Sequence, residues 1–145
     1  LQRWDHAEAM LRARLDRPEP RVTAGLALRA FAHAAIDLSD GLAGDLAHVL
    51  TASGLGARIE AERLPMSADF ARLRRPAGRL ALQAQGGDDY ELCVCLPADR
   101  VETARAALDV PLTVIGQITA EPGLRFVDGA GANIAISPHG YRHFE

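Results

Sequence analysis

Apolar residues recur every three or four positions at the start of the chain, at Trp4, Ala7, Met10, Leu11 and Leu15, with Arg and Glu between them. This period predicts a helix over residues 4–15. Pro18 stops it, because the proline ring cannot continue the hydrogen-bond ladder. Pro20 suits the first turn of a second helix with Val22, Leu26, Ala30 and Phe31 on one face. The short apolar run Ala34-Ala35-Ile36 predicts a buried strand, which leads directly into Asp37-Leu38-Ser39-Asp40-Gly41-Leu42. Leu42, Leu46, Val49 and Leu50 then mark a helix, and Gly54 suits the left-handed residue just past its end. The pattern here is strand, acidic turn, helix.

Alternation over residues 57–61 predicts a strand, and Leu64-Pro65 breaks it. Ser67 can cap a short helix containing Phe70 and Leu73. Residues 79–85 read as helix, ended by Gly86-Gly87. Tyr90-Glu91-Leu92-Cys93-Val94-Cys95-Leu96 is the clearest strand, bounded by those glycines and by Pro97. Asp99 can cap a helix through Ala106-Ala107-Leu108. Residues 112–118 and 124–127 read as strands, Asp128-Gly129-Ala130-Gly131 as a turn, and 134–136 as a last strand. The tail, 138–144, is irregular and aromatic. Because several strands crowd the last third, a purely parallel sheet does not fit. The predicted fold is α+β: a mixed β-sheet packed with helices over 34–145, preceded by a helical arm over 1–33.

Composition narrows the function. At 145 residues, 48% apolar and 24% charged, the chain is one folded module able to bury about 68–70% of its unfolded surface. No apolar run approaches the roughly 20 residues that span a bilayer, so no membrane contact is expected. A formal charge of −3 argues against nonspecific nucleic-acid binding. All sixteen basic side chains are Arg. Without Lys, neither a Walker-type phosphate loop nor a Schiff-base enzyme can be completed by this chain. The two cysteines, Cys93 and Cys95, lie two apart on a strand, on one face but with Cβ atoms about 6.6 Å apart, beyond the roughly 3.5–4.5 Å a disulfide spans, so they are not expected to pair and fit a reducing compartment. The chain begins at Leu1 with an amphipathic, charged segment, which suggests a piece of something longer.

Two constellations can carry chemistry. Asp37-x-Ser39-Asp40-Gly41 joins a strand end to a helix start, where N–H groups attract anions, Ser39 or Asp40 can cap, and two carboxylates offer hard oxygen ligands to Mg²⁺. Carboxylates repel a phosphate unless a divalent cation lies between them, so the pattern suits metal-bridged phosphate. The plainer alternative is a Ser39 cap with two acids that favour the helix dipole. In Gly86-Gly87-Asp88-Asp89-Tyr90-Glu91 the glycines allow close backbone approach, and adjacent acids at a strand mouth need a cation, donors or water. Here the plainer alternative is a helix stop and a solvated turn. Glu91 is expected to face water or a partner. Asp45, in the helix, is either a solvated residue or a ligand. His33, His48, His139 and His143 lack zinc spacing, and Arg74-Arg75 can meet phosphate or simply be solvated.

These strings resemble a known family. Ala35-Ile36-Asp37-Leu38-Ser39-Asp40-Gly41-Leu42, Gly54-x-Gly56-Ala57, Leu64-Pro65, Gly86-Gly87-Asp88-Asp89-Tyr90-Glu91-Leu92-Cys93 and Gly140-Tyr141-Arg142-His143-Phe144 are similar, in order, to the C-terminal half of the bacterial thiamine-monophosphate kinases. Arg17-Pro18-Glu19-Pro20-Arg21 fits the same family. The resemblance implies a superfamily shared with aminoimidazole ribonucleotide synthetase and selenophosphate synthetase. Its members carry an N-terminal ATP-binding domain, absent from this chain, and form homodimers through it. It further implies that Asp37 and Asp40 bind Mg²⁺, that Ser39 contacts ATP, and that Asp88 and Tyr141 line the thiamine monophosphate site. Asp88 stands where the family usually has Glu, one methylene longer.

The implied reaction transfers the γ-phosphoryl group of ATP to thiamine monophosphate in the cytoplasm, giving thiamine diphosphate. The acceptor is already an anionic oxygen, so no catalytic base is assigned, and the site has to cancel charge and align donor with acceptor. The isolated piece is expected to be inactive. Two alternatives stand beside this: a domain of another ATP-dependent synthetase of the superfamily, or a noncatalytic assembly module with solvated acidic turns.

Overall fold

The computed structural model describes residues 2–136. Helix α1 (Gln2–Asp16) and the short α2 (Val22–Leu28) come first. Then follow β1 (Ala34–Asp37), α3 (Leu42–Ser53), β2 (Gly56–Glu60), α4 (Ala68–Leu73), α5 (Pro76–Gln85) and β3 (Leu92–Cys95). Helix α6 (Val101–Ala106), β4 (Gly116–Thr119), β5 (Gly123–Val127) and β6 (Asn133–Ile134) complete the order. Single 3₁₀ turns occupy Ala61–Arg63 and Ala98–Arg100.

The strands form two sheets. One is the antiparallel pair β1 and β3, with Ala34 opposite Cys95 and Asp37 opposite Leu92. The other has four strands in the order β4-β2-β5-β6, with β2 and β5 parallel and both outer pairs antiparallel. The mixed α+β character expected from sequence is therefore present. Its strands are divided between two sheets rather than gathered in one.

Helix α3 is the centre of the core. Leu42, Ala43, Leu46 and Leu50 pack with Ala57 and Ile59 of β2, Phe126 of β5, Leu64 and Ala84. Cys93 of β3 packs against the same cluster, so α3 bridges the two sheets. Gly54 ends the helix in the left-handed conformation, φ 66°, and its N–H donates to the carbonyls of Leu50 and Thr51. Ser67 Oγ caps α4 by accepting from Phe70 N at 3.0 Å, and α1 lies against that helix.

Several expectations need correction. The second helix buries Ala24 and Leu28, whereas Val22 and Leu26 are 65% and 64% exposed. A seven-residue helix that ends before Ala30 cannot carry the face drawn through Phe31. Asp99 lies in the 3₁₀ turn and does not cap α6, whose N-cap is Arg100 with no side-chain bond. The strand expected over 112–118 starts only at Gly116, although Ile115 O still accepts from Glu60 N at 2.8 Å. The last strand is Asn133–Ile134 rather than 134–136. The strand expected over 90–96 is shorter, because Tyr90 has φ 51° and cannot lie in a regular ladder.

Candidate functional site

The two constellations named from sequence lie side by side. Beyond the paired residues of β1 and β3, the backbones stay zipped: Leu38 N donates to Glu91 O (2.9 Å), Tyr90 N to Leu38 O (2.8 Å) and Asp88 N to Ser39 O (2.9 Å). The 38–41 turn and the 86–91 segment are thus one backbone unit at the mouth of the two-stranded sheet. Glycine is required on both sides. A Cβ on Gly87 would stand 2.7 Å from Ser39 O, and one on Gly41, at φ +102°, would stand 2.8 Å from Gln85 C. Asp88 (φ 63°) and Tyr90 (φ 51°) take the left-handed conformation without being glycine. That strain is held in place by the hydrogen bonds around it and concentrates at this site.

Asp37 is exposed, and Ser39 and Asp40 are half-buried. Among the described residues, no ion pair or side-chain hydrogen bond engages the carboxylate of Asp37 or Asp40. Asp88 has only the Tyr90 hydroxyl, which donates to its Oδ1 at 3.4 Å. Tyr90 reports their joint field. Its hydroxyl pKa is raised, chiefly by the charge of Asp88, with Asp37 and Asp40 adding to it. Asp89 is exposed as a residue, yet its carboxyl is pushed up by desolvation, then by Glu91 and Asp88, with Arg14 opposing.

The donor chemistry suits a hard cation. Two carboxylates and a hydroxyl offer oxygen only, with no arginine among the described residues competing for Asp37 or Asp40. No group of three His, Cys, Asp or Glu side chains converges among the described residues. Asp37 and Asp40 alone could hold only part of a metal's shell, a number compatible with Mg²⁺, an ion that keeps waters and takes substrate phosphates.

The helix start differs from expectation. The N-cap of α3 is Gly41, and neither Ser39 nor Asp40 caps it. The amides of Ser39 and Asp40 are taken instead by Asp45, whose Oδ2 accepts at 3.0 and 3.1 Å. Asp45 is only 4% exposed, so it is not a solvated residue. The signal that pointed to it is geometric: side chains in a helix's first turn tilt back toward the N-terminus, which aims Asp45 at the preceding turn.

Glu91 also has partners. Arg21 grips it through Nε and Nη2, each at 2.9 Å, and Arg14 Nη2 reaches it at 2.6 Å. These bonds, the Arg21 hydrogen bond above all, hold the Glu91 carboxyl below its usual range and raise Arg21 further. Glu91 thereby fastens α1 and the segment before α2 to the mouth of β3. Arg74 and Arg75 are exposed, with Arg74 O accepting from Arg79. Tyr141, His139 and His143 lie outside the described residues.

Comparison with known proteins finds relatives over most of the chain. Thiamine-monophosphate kinase of Escherichia coli K12 is 44% identical over 132 residues, 88% of this chain and 40% of that protein. The crystal structure of thiamine-monophosphate kinase from Stenotrophomonas maltophilia K279a matches 83% of the chain and 39% of its own, at 44% identity and TM-score 0.79. AaThiL complexed with AMPPCP and TMP matches 95% of the chain and 42% of its own, at 26% identity and TM-score 0.76. The chain thus spans about two fifths of the relatives it matches. The family model for the AIR synthase related protein, C-terminal domain, covers residues 5–129, and the chain belongs to that family.

Proposed function

We propose that this chain is the C-terminal domain of a thiamine-monophosphate kinase that transfers the γ-phosphoryl group of ATP to thiamine monophosphate. The observation that carries the reading is the bond from Asp88 N to Ser39 O. It sets the Asp37-Ser39-Asp40 turn against the Asp88 loop, so residues suited to a magnesium nucleotide adjoin one suited to the acceptor. Asp37 and Asp40 would hold Mg²⁺, and Ser39 would contact the nucleotide. Asp88 and Tyr141 would take thiamine monophosphate. Mg²⁺ held by Asp37 and Asp40 would supply charge neutralisation during phosphoryl transfer.

An acceptor phosphate oxygen attacks the γ-phosphorus, the bond to the bridging oxygen breaks, and ADP leaves with that electron pair. No proton need be removed from the acceptor. The protein's own contribution is to hold two anions in line and exclude water. An N-terminal half supplying most ATP contacts, a homodimer formed through it, a cytoplasmic setting, and the division at 33/34 into arm and α+β domain belong to the same reading. The identity to thiamine-monophosphate kinases supports this substrate over that of another synthetase.

The test uses the full-length protein with Mg²⁺, ATP and thiamine monophosphate, following thiamine diphosphate by phosphorus NMR. Product is expected, together with its loss in Asp40→Asn at unchanged far-UV spectrum and melting temperature. No product, or full turnover in a folded Asp40→Asn, overturns the proposal in favour of another superfamily substrate or a noncatalytic module.

A further inference from the structure

We infer that Asp45 is a positioning residue, an internal anion that occupies the amides of the acidic turn and fixes the direction of Ser39 and Asp40. Its Oδ2 accepts from both Ser39 N and Asp40 N, at 3.0 and 3.1 Å. Asp45 is buried at 4% exposure between the turn that carries Ser39 and Asp40 and the helix that forms the core. Asp45 N in turn donates to Gly41 O at 3.0 Å, so the same residue closes the first helical bond and the turn before it. Charge-assisted bonds to two successive amides leave the peptide between Ser39 and Asp40 little rotational freedom.

Two consequences follow. The turn is pre-ordered, because the side chains of Ser39 and Asp40 leave a backbone already pinned from below. Bare phosphate is also excluded from these N–H groups. The two amides that Asp45 takes precede the N-cap Gly41, so they are the turn's own donors and not the first N–H groups of α3. A phosphate brought to the Ser39–Asp40 peptide would meet the carboxylates of Asp45 and Asp40 and be repelled unless a cation lay between them. Asp45 therefore biases the site toward the metal complex of the nucleotide without touching either. This deepens, and rests on, the assignment of the turn to a magnesium nucleotide.

The test compares Asp45→Ala with Asp45→Asn in the full-length protein. Asn keeps an oxygen acceptor for both amides, and Ala removes it. Asp45→Ala is expected to raise the KM for Mg·ATP roughly tenfold or more while leaving the KM for thiamine monophosphate within about twofold, and Asp45→Asn to recover most of that loss. A purely structural role would lower the active fraction and kcat with both KM values unchanged, and direct metal ligation would make Asn as damaging as Ala. Either outcome overturns the inference. Amide hydrogen exchange at Ser39 and Asp40, read by NMR, separates it from the kinase assignment: protection in wild type and Asp45→Asn, lost in Asp45→Ala, is expected even if no kinase activity is found. Unprotected amides in wild type would sink it.

Discussion

The amide of Asp88 donates to the carbonyl of Ser39 at 2.9 Å, and this one bond couples two motifs separated by nearly fifty residues. It is possible because Gly87 has no side chain where the Ser39 carbonyl comes closest. The charges of Asp88, Asp37 and Asp40 all act to raise the pKa of the Tyr90 hydroxyl.

Gly87→Ala should therefore damage stability and site together. The added methyl would sit 2.7 Å from Ser39 O, and backbone cannot swing aside as a side-chain tip can. The expected cost is about 1–3 kcal/mol, read by urea unfolding. The KM values for both ATP and thiamine monophosphate should rise, because both loops move. A variant with wild-type stability and kinetics would show that the close approach is not needed.

The alternation and punctuation of the chain made much of this legible. Ser67 and Gly54 act as their types predict, because a cap and a left-handed stop are decided by neighbours within five residues. The acidic turn and the Gly-Gly segment also stood out, since each breaks the pattern around it. Their adjacency did not, being a tertiary fact of the pairing between β1 and β3. Glu91 was hidden for the same reason, whereas Asp45 was open to a local reading, its partners being five and six residues back. A carboxylate's partner can be an arginine 70 residues away, as Arg21 is for Glu91, and that leaves no local trace. Val22 and Leu26 mislead because periodicity marks an apolar face without saying what covers it.

Glu91 makes a pH-dependent contribution. Its folded pKa is depressed by Arg21 and Arg14, so its stabilisation is fully present above the unfolded value of about 4.3 and is lost as pH falls through the folded one. With Glu91 44% exposed, solvent screening limits the effect to about 0.5–1 kcal/mol. Urea unfolding of wild type and Glu91→Gln should show a constant gap from pH 7 to 5 that closes on further acidification. A gap that widens below pH 4.5 would contradict the assignment.

The two thiols should react in order. Burial pushes Cys93 up to about 12, and Cys95, less enclosed, is raised as well. At pH 8 the Cys93 thiolate is on the order of one molecule in ten thousand. Iodoacetamide should label Cys95 first in the folded protein and both residues in urea, as mass spectrometry of tryptic peptides would reveal. Equal native rates would mean that Cys93 is not packed against α3.

Neutralising the outward carboxylates tests the metal assignment most directly. Asp37 and Asp40 lack any arginine partner among the described residues, so Asp37→Asn or Asp40→Asn removes charge without orphaning a buried cation and should leave the melting temperature within a degree or two. Both should instead lower kcat/KM of the full-length protein on the order of a hundredfold or more and raise the Mg²⁺ concentration needed for half-maximal rate. Chelation by EDTA should abolish turnover in wild type, and added Mg²⁺ restore it. A carboxylate that only favoured the helix dipole would cost a few tenths of a kcal/mol in stability and leave the Mg²⁺ titration unmoved. The Mg²⁺ titration therefore separates the two roles, because a few tenths of a kcal/mol shifts the melting temperature by only about a degree.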